Sequence, residues 1–231
     1  MFDITPTEWT AILLSLRVAV IATLVATPFG IALAWLLARR DFWGKSILDA
    51  LVHLPLVLPP VVTGYLLLLT FGRRGLGGSW LADHLGIVFA FRWTGAALAC
   101  GVMSFPLLVR PIRLSIEAVD RRLEQAASTL GAAPWRVFAT VTLPLALPGI
   151  LAGMVLGFAK AIGEFGATIT FVSNIPGETQ TISSAIYALI STPAGDAAAM
   201  RLVLISIAIA FAALIGAEWF ARRATQRLHG N

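Results

Sequence analysis

The chain has 231 residues, 58% of them hydrophobic and 13% charged, with a net charge of +5 and a mean hydropathy of +0.86. A soluble domain carries about 25% charged residues, so an ordinary soluble fold is excluded; the apolar residues also gather in long runs that do not alternate as barrel strands do. The basic residues fall between those runs, which argues for orientation in a membrane and against nucleic acid as a partner.

A helical crossing of about 30 Å of hydrocarbon takes roughly 20 apolar residues. The sequence therefore predicts an all-α integral membrane protein, with about five transmembrane helices forming one domain over residues 1–231. The first span covers Thr10–Ala38, with Arg17 inside it and Pro28 as a kink. No cleavage site is evident near its end, so it reads as a retained span. The second covers Leu48–Phe71 and contains Pro55, Pro59 and Pro60; the adjacent pair reads either as a hinge or as a fixed kink. A loop from Gly72 to Arg92 follows, glycine-rich at its start. The third span covers Trp93–Val109, with Pro106 near its end and Cys100 as a small buried residue. After the connecting loop of residues 117–143, the fourth span covers Pro144–Val172. Two small-residue pairs there, Gly153 with Gly157 and Gly163 with Ala167, suit close helix approach. The next loop opens on the turn signal Asn174-Ile175-Pro176-Gly177. It contains an apolar stretch, Ile182–Ile190, too short to span and read as a helix at or dipping into the membrane surface. The fifth span covers Leu202–Phe220.

Charge sets the orientation. With the N-terminus outside and the C-terminus inside, the inner segments hold Arg39, Arg40, Lys45, Arg110, Arg113, Arg121, Arg122, Arg136, Arg222, Arg223 and Arg227, while the outer segments hold Arg73, Arg74, Arg92 and Arg201. This is the positive-inside bias of multi-pass proteins. Trp9 and Trp93 then mark outer ends and Trp35 and Trp219 inner ends, as aromatic belts do.

The inner loop between spans three and four is the most informative stretch. Leu123, Ala126, Ala127 and Leu130 recur at helical spacing and give one narrow apolar face. Gly131 follows, where a helix C-terminus favours a residue tolerant of positive φ. Pro134 suits the first turn of a second helix, which ends near Leu143-Pro144. The result is a helix-turn-helix elbow. Its small face and charged neighbours Arg121, Arg122, Glu124 and Arg136 fit two roles: docking to another protein in a fixed register, or an amphipathic helix lying on lipid headgroups.

Gln125-Ala126-Ala127, three residues, Gly131, nine residues, then Val141-Thr142-Leu143-Pro144 resembles the EAA loop of ABC importer permeases. That pattern has glutamate where Gln125 stands, with Glu124 one position early here, and isoleucine where Val141 stands. Residues 53–68 (HLPLVLPPVVTGYLLL), the loop FGRRG at 71–75 and residues 163–182 (GEFGATITFVSNIPGETQTI) resemble the oxyanion branch of the family. The similarity covers nearly the whole chain and is nearest to the molybdate permeases, with sulfate and tungstate permeases sharing the fold. The resemblance implies a type I ABC importer permease fold. It also implies alternating-access import of an oxyanion, two copies of the chain enclosing the pathway, cytoplasmic ABC ATPase subunits inside and an oxyanion-binding protein outside. It makes Glu124, Gln125, Ala126, Ala127, Leu130, Gly131 and Arg136 the ATPase-coupling residues.

Lys160 and Glu164 lie one turn apart on span four. Intramembrane charges are costly, so the pair is either a gate element of the pathway, together with Gly163, Pro59 and Pro60, or a structural ion pair. Gly44-Lys45-Ser46 lacks the first glycine and the preceding strand of a P-loop, so ATP is expected on a partner. No catalytic constellation, metal-ligand spacing or cofactor motif is visible; His53, His84 and His229 stand far apart. An ion-driven secondary transporter is the competing class, with Glu164 and Glu218 as its candidate titrating groups.

Overall fold

The computed structural model describes the backbone of residues 4–193 and 195–229, and the side chains of the same residues up to 216. Glu218, Trp219, Arg222, Arg223 and Arg227 thus have side chains outside the described set. Only helices, turns and loops occur among the described residues. The helices are α1 Pro6–Arg39, α2 Lys45–Val57, α3 Pro60–Phe71, α4 Leu76–Leu85, α5 Trp93–Ala118, α6 Arg121–Thr129 and α7 Pro134–Val137. A π-helical turn over Phe138–Thr142 leads into α8 Leu143–Leu145, followed by α9 Leu147–Ile162, α10 Gly166–Val172, α11 Ile182–Ile190 and α12 Asp196–His229.

Three helices are long and apolar enough to cross a membrane alone, Pro6–Arg39, Trp93–Ala118 and Asp196–Gly216. Two bent pairs complete five if each counts as one span: Lys45–Val57 with Pro60–Phe71, bent by 114°, and Pro134–Leu145 with Leu147–Ile162, bent by 69°. The prolines explain the first break. Pro59 is extended at the N-cap of α3 and Pro60 takes its first turn, where a missing N–H costs nothing. Leu58, just before Pro59, is pushed out of the helical region.

α5 is the centre of the bundle, packed between α1 and α9. Leu108, Val109 and Ile112 on it are wholly buried. Glycine brings α9 close: a Cβ at Gly153 would lie 2.5 Å from the Leu108 carbonyl oxygen, and one at Gly157 would sit 3.6 Å from the Leu108 Cβ. The Gly153–Gly157 pair is therefore a packing surface. Gly153→Leu is expected to push α9 off α5 and lower stability by about 1–3 kcal/mol, the usual cost of overpacking. A thermal melt of the detergent-purified protein measures it, with Gly157→Ala, which has room, as the near-neutral control.

Three differences from the sequence reading, and one refinement of it at α11, have physical causes. α5 continues to Ala118, beyond the apolar run, because Arg113 is held by Asp49 at 2.9 Å and by Glu117 at 2.8 Å. The loop after Phe71 contains a helix, α4, whose C-terminus is closed by Gly86 at φ +66°. α11 packs into the bundle, with Ile182 and Ala185 buried against Ala11, Ile12 and Leu202. Its first N–H donates to the Ser15 hydroxyl at 2.7 Å. Finally, Gly163 and Ala167 do not share one helix: Gly163 is the C-cap of α9 and Ala167 belongs to α10.

Candidate functional site

Two regions gather the residues singled out from the sequence. One is the elbow at the end of the bundle where α1 and α5 finish; the other is a junction of broken helices within the bundle.

At the elbow, Asp120 caps α6 by accepting the Arg122 N–H at 2.9 Å. The helix closes in a Schellman motif: the Ala132 N–H donates to the Ala127 carbonyl and the Gly131 N–H to the Ser128 carbonyl. Gly131 stands at φ +84° with nothing within 4 Å of where a Cβ would be. Backbone conformation, not space, requires glycine there. Pro134 then begins α7 at its first position.

The two sides of α6 face different surroundings. Leu123 and Leu130 are exposed, the latter at 88%, as is Trp135 on α7 at 67%. Gln125 and Ala126 are exposed beside them and Ala127 is half-buried. Arg136 is exposed, its guanidinium 5.4 Å from the Trp135 ring centre. The apolar face predicted from the spacing thus points away from the bundle, an arrangement that marks an interaction surface. Glu124 points the other way. Its Oε1 accepts from Arg39 Nε at 3.2 Å, Arg39 Nη2 at 3.0 Å and the Thr142 hydroxyl at 2.6 Å. Thr142 belongs to the EAA-like stretch, but Arg39 lies outside the elbow, at the end of α1. A separation of 85 residues between Arg39 and Glu124 leaves no local signal. Beneath α6 lies a cavity of about 470 Å³ lined by Trp35, Arg39, Glu124, Gln125, Phe138 and Thr142 among others.

At the second region the interrupted helices interlock. A Cβ at Gly64 of α3 would lie 2.5 Å from the Ala167 carbonyl oxygen of α10, and one at Gly166 would lie 2.7 Å from the Pro60 Cβ. Pro59 and Pro60 themselves are exposed. Lys160 and Glu164 meet at 2.8 Å, and the Glu164 side chain is only 1% exposed. The other carboxylate oxygen accepts the Ala167 N–H at 3.0 Å, so Glu164 caps α10 where the α-helical ladder stops. The carbonyls freed by the break are taken up as well. Ala161 accepts from the Glu164 N–H at 3.3 Å and from the Cys100 thiol at 3.5 Å, and Ile162 accepts from the Ser183 hydroxyl at 3.4 Å. Broken helices persist at membrane depth only where such partners exist. Arg17, the arginine inside the first span, is not part of this junction; its guanidinium lies 3.8 Å from the Trp93 ring centre.

A third feature is an apolar groove of about 660 Å³ between α1, α2 and α5. No cluster of three or more histidine, cysteine or acidic side chains able to hold a metal occurs among the described residues.

The chain is similar to known proteins. The chain is 62% identical over 224 residues to the molybdenum transport system permease protein ModB of Escherichia coli strain K12, covering 97% of this chain and 98% of that protein. It is 56% identical over 221 residues to ModB of Haemophilus influenzae, covering 96% of each, and 36% identical to the E. coli sulfate transport system permease protein CysT, covering 89% of this chain and 75% of that one. Among solved structures, a bacterial ABC transporter that imports the acidic polysaccharide alginate has a chain of the same fold. Its TM-score is 0.75 at 19% identity, with 96% of this chain and 81% of that chain covered. Residues 26–226 match the family described as binding-protein-dependent transport system inner membrane component. The chain belongs to that family of multi-pass inner-membrane transport components.

Proposed function

We propose that this chain is the permease subunit of an ATP-driven importer that carries molybdate across the bacterial cytoplasmic membrane. Two copies enclose the pathway, an ABC ATPase docks on each elbow in the cytoplasm, and an oxyanion-binding protein delivers substrate from outside. The N-terminus then lies outside and the C-terminus inside, as the distribution of arginines favours. Identity of 62% to a molybdenum permease along nearly the full length of both chains supports the substrate. The observation that carries the mechanism is the outward apolar face of α6, with Leu130 and Trp135 unburied. Such a face is costly in water and is covered by a protein or by lipid; the EAA-like spacing from Gln125 to Pro144 favours the protein.

Residues 117–143 serve in this reading as the coupling loop. Gln125, Ala126, Ala127, Leu130, Gly131 and Arg136 form or shape the gripped surface. Closure of the ATPases moves the elbows, and the bent spans change the access of the pathway from one side to the other. The junction of Pro59, Pro60, Gly163, Glu164 and Lys160 is the candidate gate, because both interrupted helices are jointed there. The chain contributes shape and motion; ATP hydrolysis takes place on the partner.

Proteoliposomes holding this chain, its ATPase and its binding protein test the proposal. ATP-dependent uptake of radiolabelled molybdate that persists in a large excess of sulfate is the expected result. Equal competition by sulfate would transfer the assignment to the sulfate branch, and uptake without ATP would reject an ABC importer altogether.

A further inference from the structure

We infer that Arg39 and Glu124 form a mechanical joint through which the elbow moves the spans, so that both act as positioning residues for transport and not as contacts for the ATPase. The inference rests on the coupling role proposed for the elbow and adds the route by which its movement travels.

One carboxylate oxygen and the guanidinium on it gather four parts of the chain. Arg39 is the last residue of α1, and its side chain is 8% exposed. Besides its two bonds to Glu124 Oε1, its Nη2 donates to the carbonyl of Val119 at 3.1 Å, the residue that caps the C-terminus of α5. Thr142, which donates to the same Oε1 at 2.6 Å, closes the π-turn that leads through α8 into α9. α6 is thereby tied to the ends of α1 and α5 and to the approach to α9. The edge-on contact of Trp35 with Phe138, 6.0 Å between ring centres, runs parallel to this link. A π-turn is a register defect that often marks a place where a helix performs a function, and here it carries the third hydrogen bond of the joint.

Geometry separates the joint from the docking face. Glu124 is turned toward the bundle, whereas Leu123, Gln125, Ala126 and Leu130 are exposed. A carboxylate engaged by a guanidinium and a hydroxyl in a half-buried site is a strong, directional link. A helix on the membrane face without it would tilt under load and leave the spans where they were.

The test uses the whole permease–ATPase complex with its binding protein, in proteoliposomes. The variants are Glu124→Gln, Arg39→Lys, Arg39→Glu, Glu124→Arg and the exchanged pair R39E/E124R. Retention of the ATPase on the purified complex, ATP hydrolysis and molybdate moved per ATP hydrolysed are measured for each. The joint predicts that the single variants keep the ATPase bound and hydrolysing, yet move about tenfold less molybdate per ATP, within the usual range of a coupling energy. The exchanged pair recovers most of the loss. The mild variants Glu124→Gln and Arg39→Lys show the same direction should a charge reversal fail to assemble. An unchanged ratio of molybdate to ATP in the single variants would overturn the joint while leaving the importer assignment standing. Loss of ATPase binding in the mild variants would also overturn it, since the pair would then belong to the docking surface. Molybdate uptake by the unmodified complex without ATP would overturn both readings.

Discussion

Gly131→Val will insert normally and still lose nearly all ATP hydrolysis stimulated by the loaded binding protein. Gly131 lies outside every predicted span, so insertion does not sense it. Its φ of +84° is the left-handed region, which costs an L-residue roughly 1–2 kcal/mol and a β-branched one more. Because nothing lies within 4 Å of the Cβ position, the penalty is conformational and not a clash. The chain relieves it by opening the turn, which breaks the two hydrogen bonds that close α6. Leu130 then no longer stands in fixed register with Trp135, and the outward face loses its shape. Gly131→Asn is the informative companion, since asparagine tolerates this conformation better than most residues; it keeps a large part of the stimulated activity. Hydrolysis with and without the loaded binding protein gives the answer directly. Equal stimulation in the valine variant would mean that the elbow's turn does not matter to coupling.

Lys160→Met will strongly destabilise the interrupted fourth span. Glu164 has a side chain 1% exposed, and its partners are the Lys160 ammonium at 2.8 Å and the Ala167 N–H at 3.0 Å. Removing one partner of a buried pair costs about 3–5 kcal/mol, because the remaining charge is left without compensation. The backbone bond from Ala167 softens that loss toward the lower figure. Lys160→Arg keeps the charge and loses little, and the double variant K160M/E164Q recovers much of the stability by removing the stranded carboxylate. Unfolding of the detergent-solubilised protein measures all three. Should the single and double variants unfold alike, the pair would not be the strut described here. If the double variant is stable but transports nothing, the pair is needed for the gate as well as for the fold.

The sequence exposed the five apolar stretches, the turn at Gly131 and the start of α7 at Pro134, because composition, left-handed glycine and helix-start proline are local signals. Breaks were legible in part. Pro59 and Pro60 announce a disturbance, yet nothing in them specifies a 114° bend; the bent pair packs across the bundle through Gly64 against Ala167 and Gly166 against Pro60, contacts that lie far off in sequence. The break after Ile162 carries no proline. It is stabilised by Cys100 and Ser183, which come from distant parts of the chain. Lys160 and Glu164 meet as their spacing suggested, although the helix between them ends at Ile162. In the sequence, Glu124 reads as one of the charges that set the docking register. Its actual direction depends on Arg39, far off in sequence, and helical periodicity does not reveal it.

If a cytoplasmic ATPase grips the outward face of the elbow, as proposed, site-specific cross-linking captures the contact. The one native cysteine, Cys100, is buried, so a cysteine placed at Leu130 offers the accessible thiol. In membranes carrying the working transporter, Leu130→Cys is predicted to cross-link to the ATPase with a yield that changes when ATP is trapped. A thiol at that position that reaches only lipid reagents, with no adduct to an ATPase in any nucleotide state, would mean that the elbow lies on the bilayer and docks no ATPase.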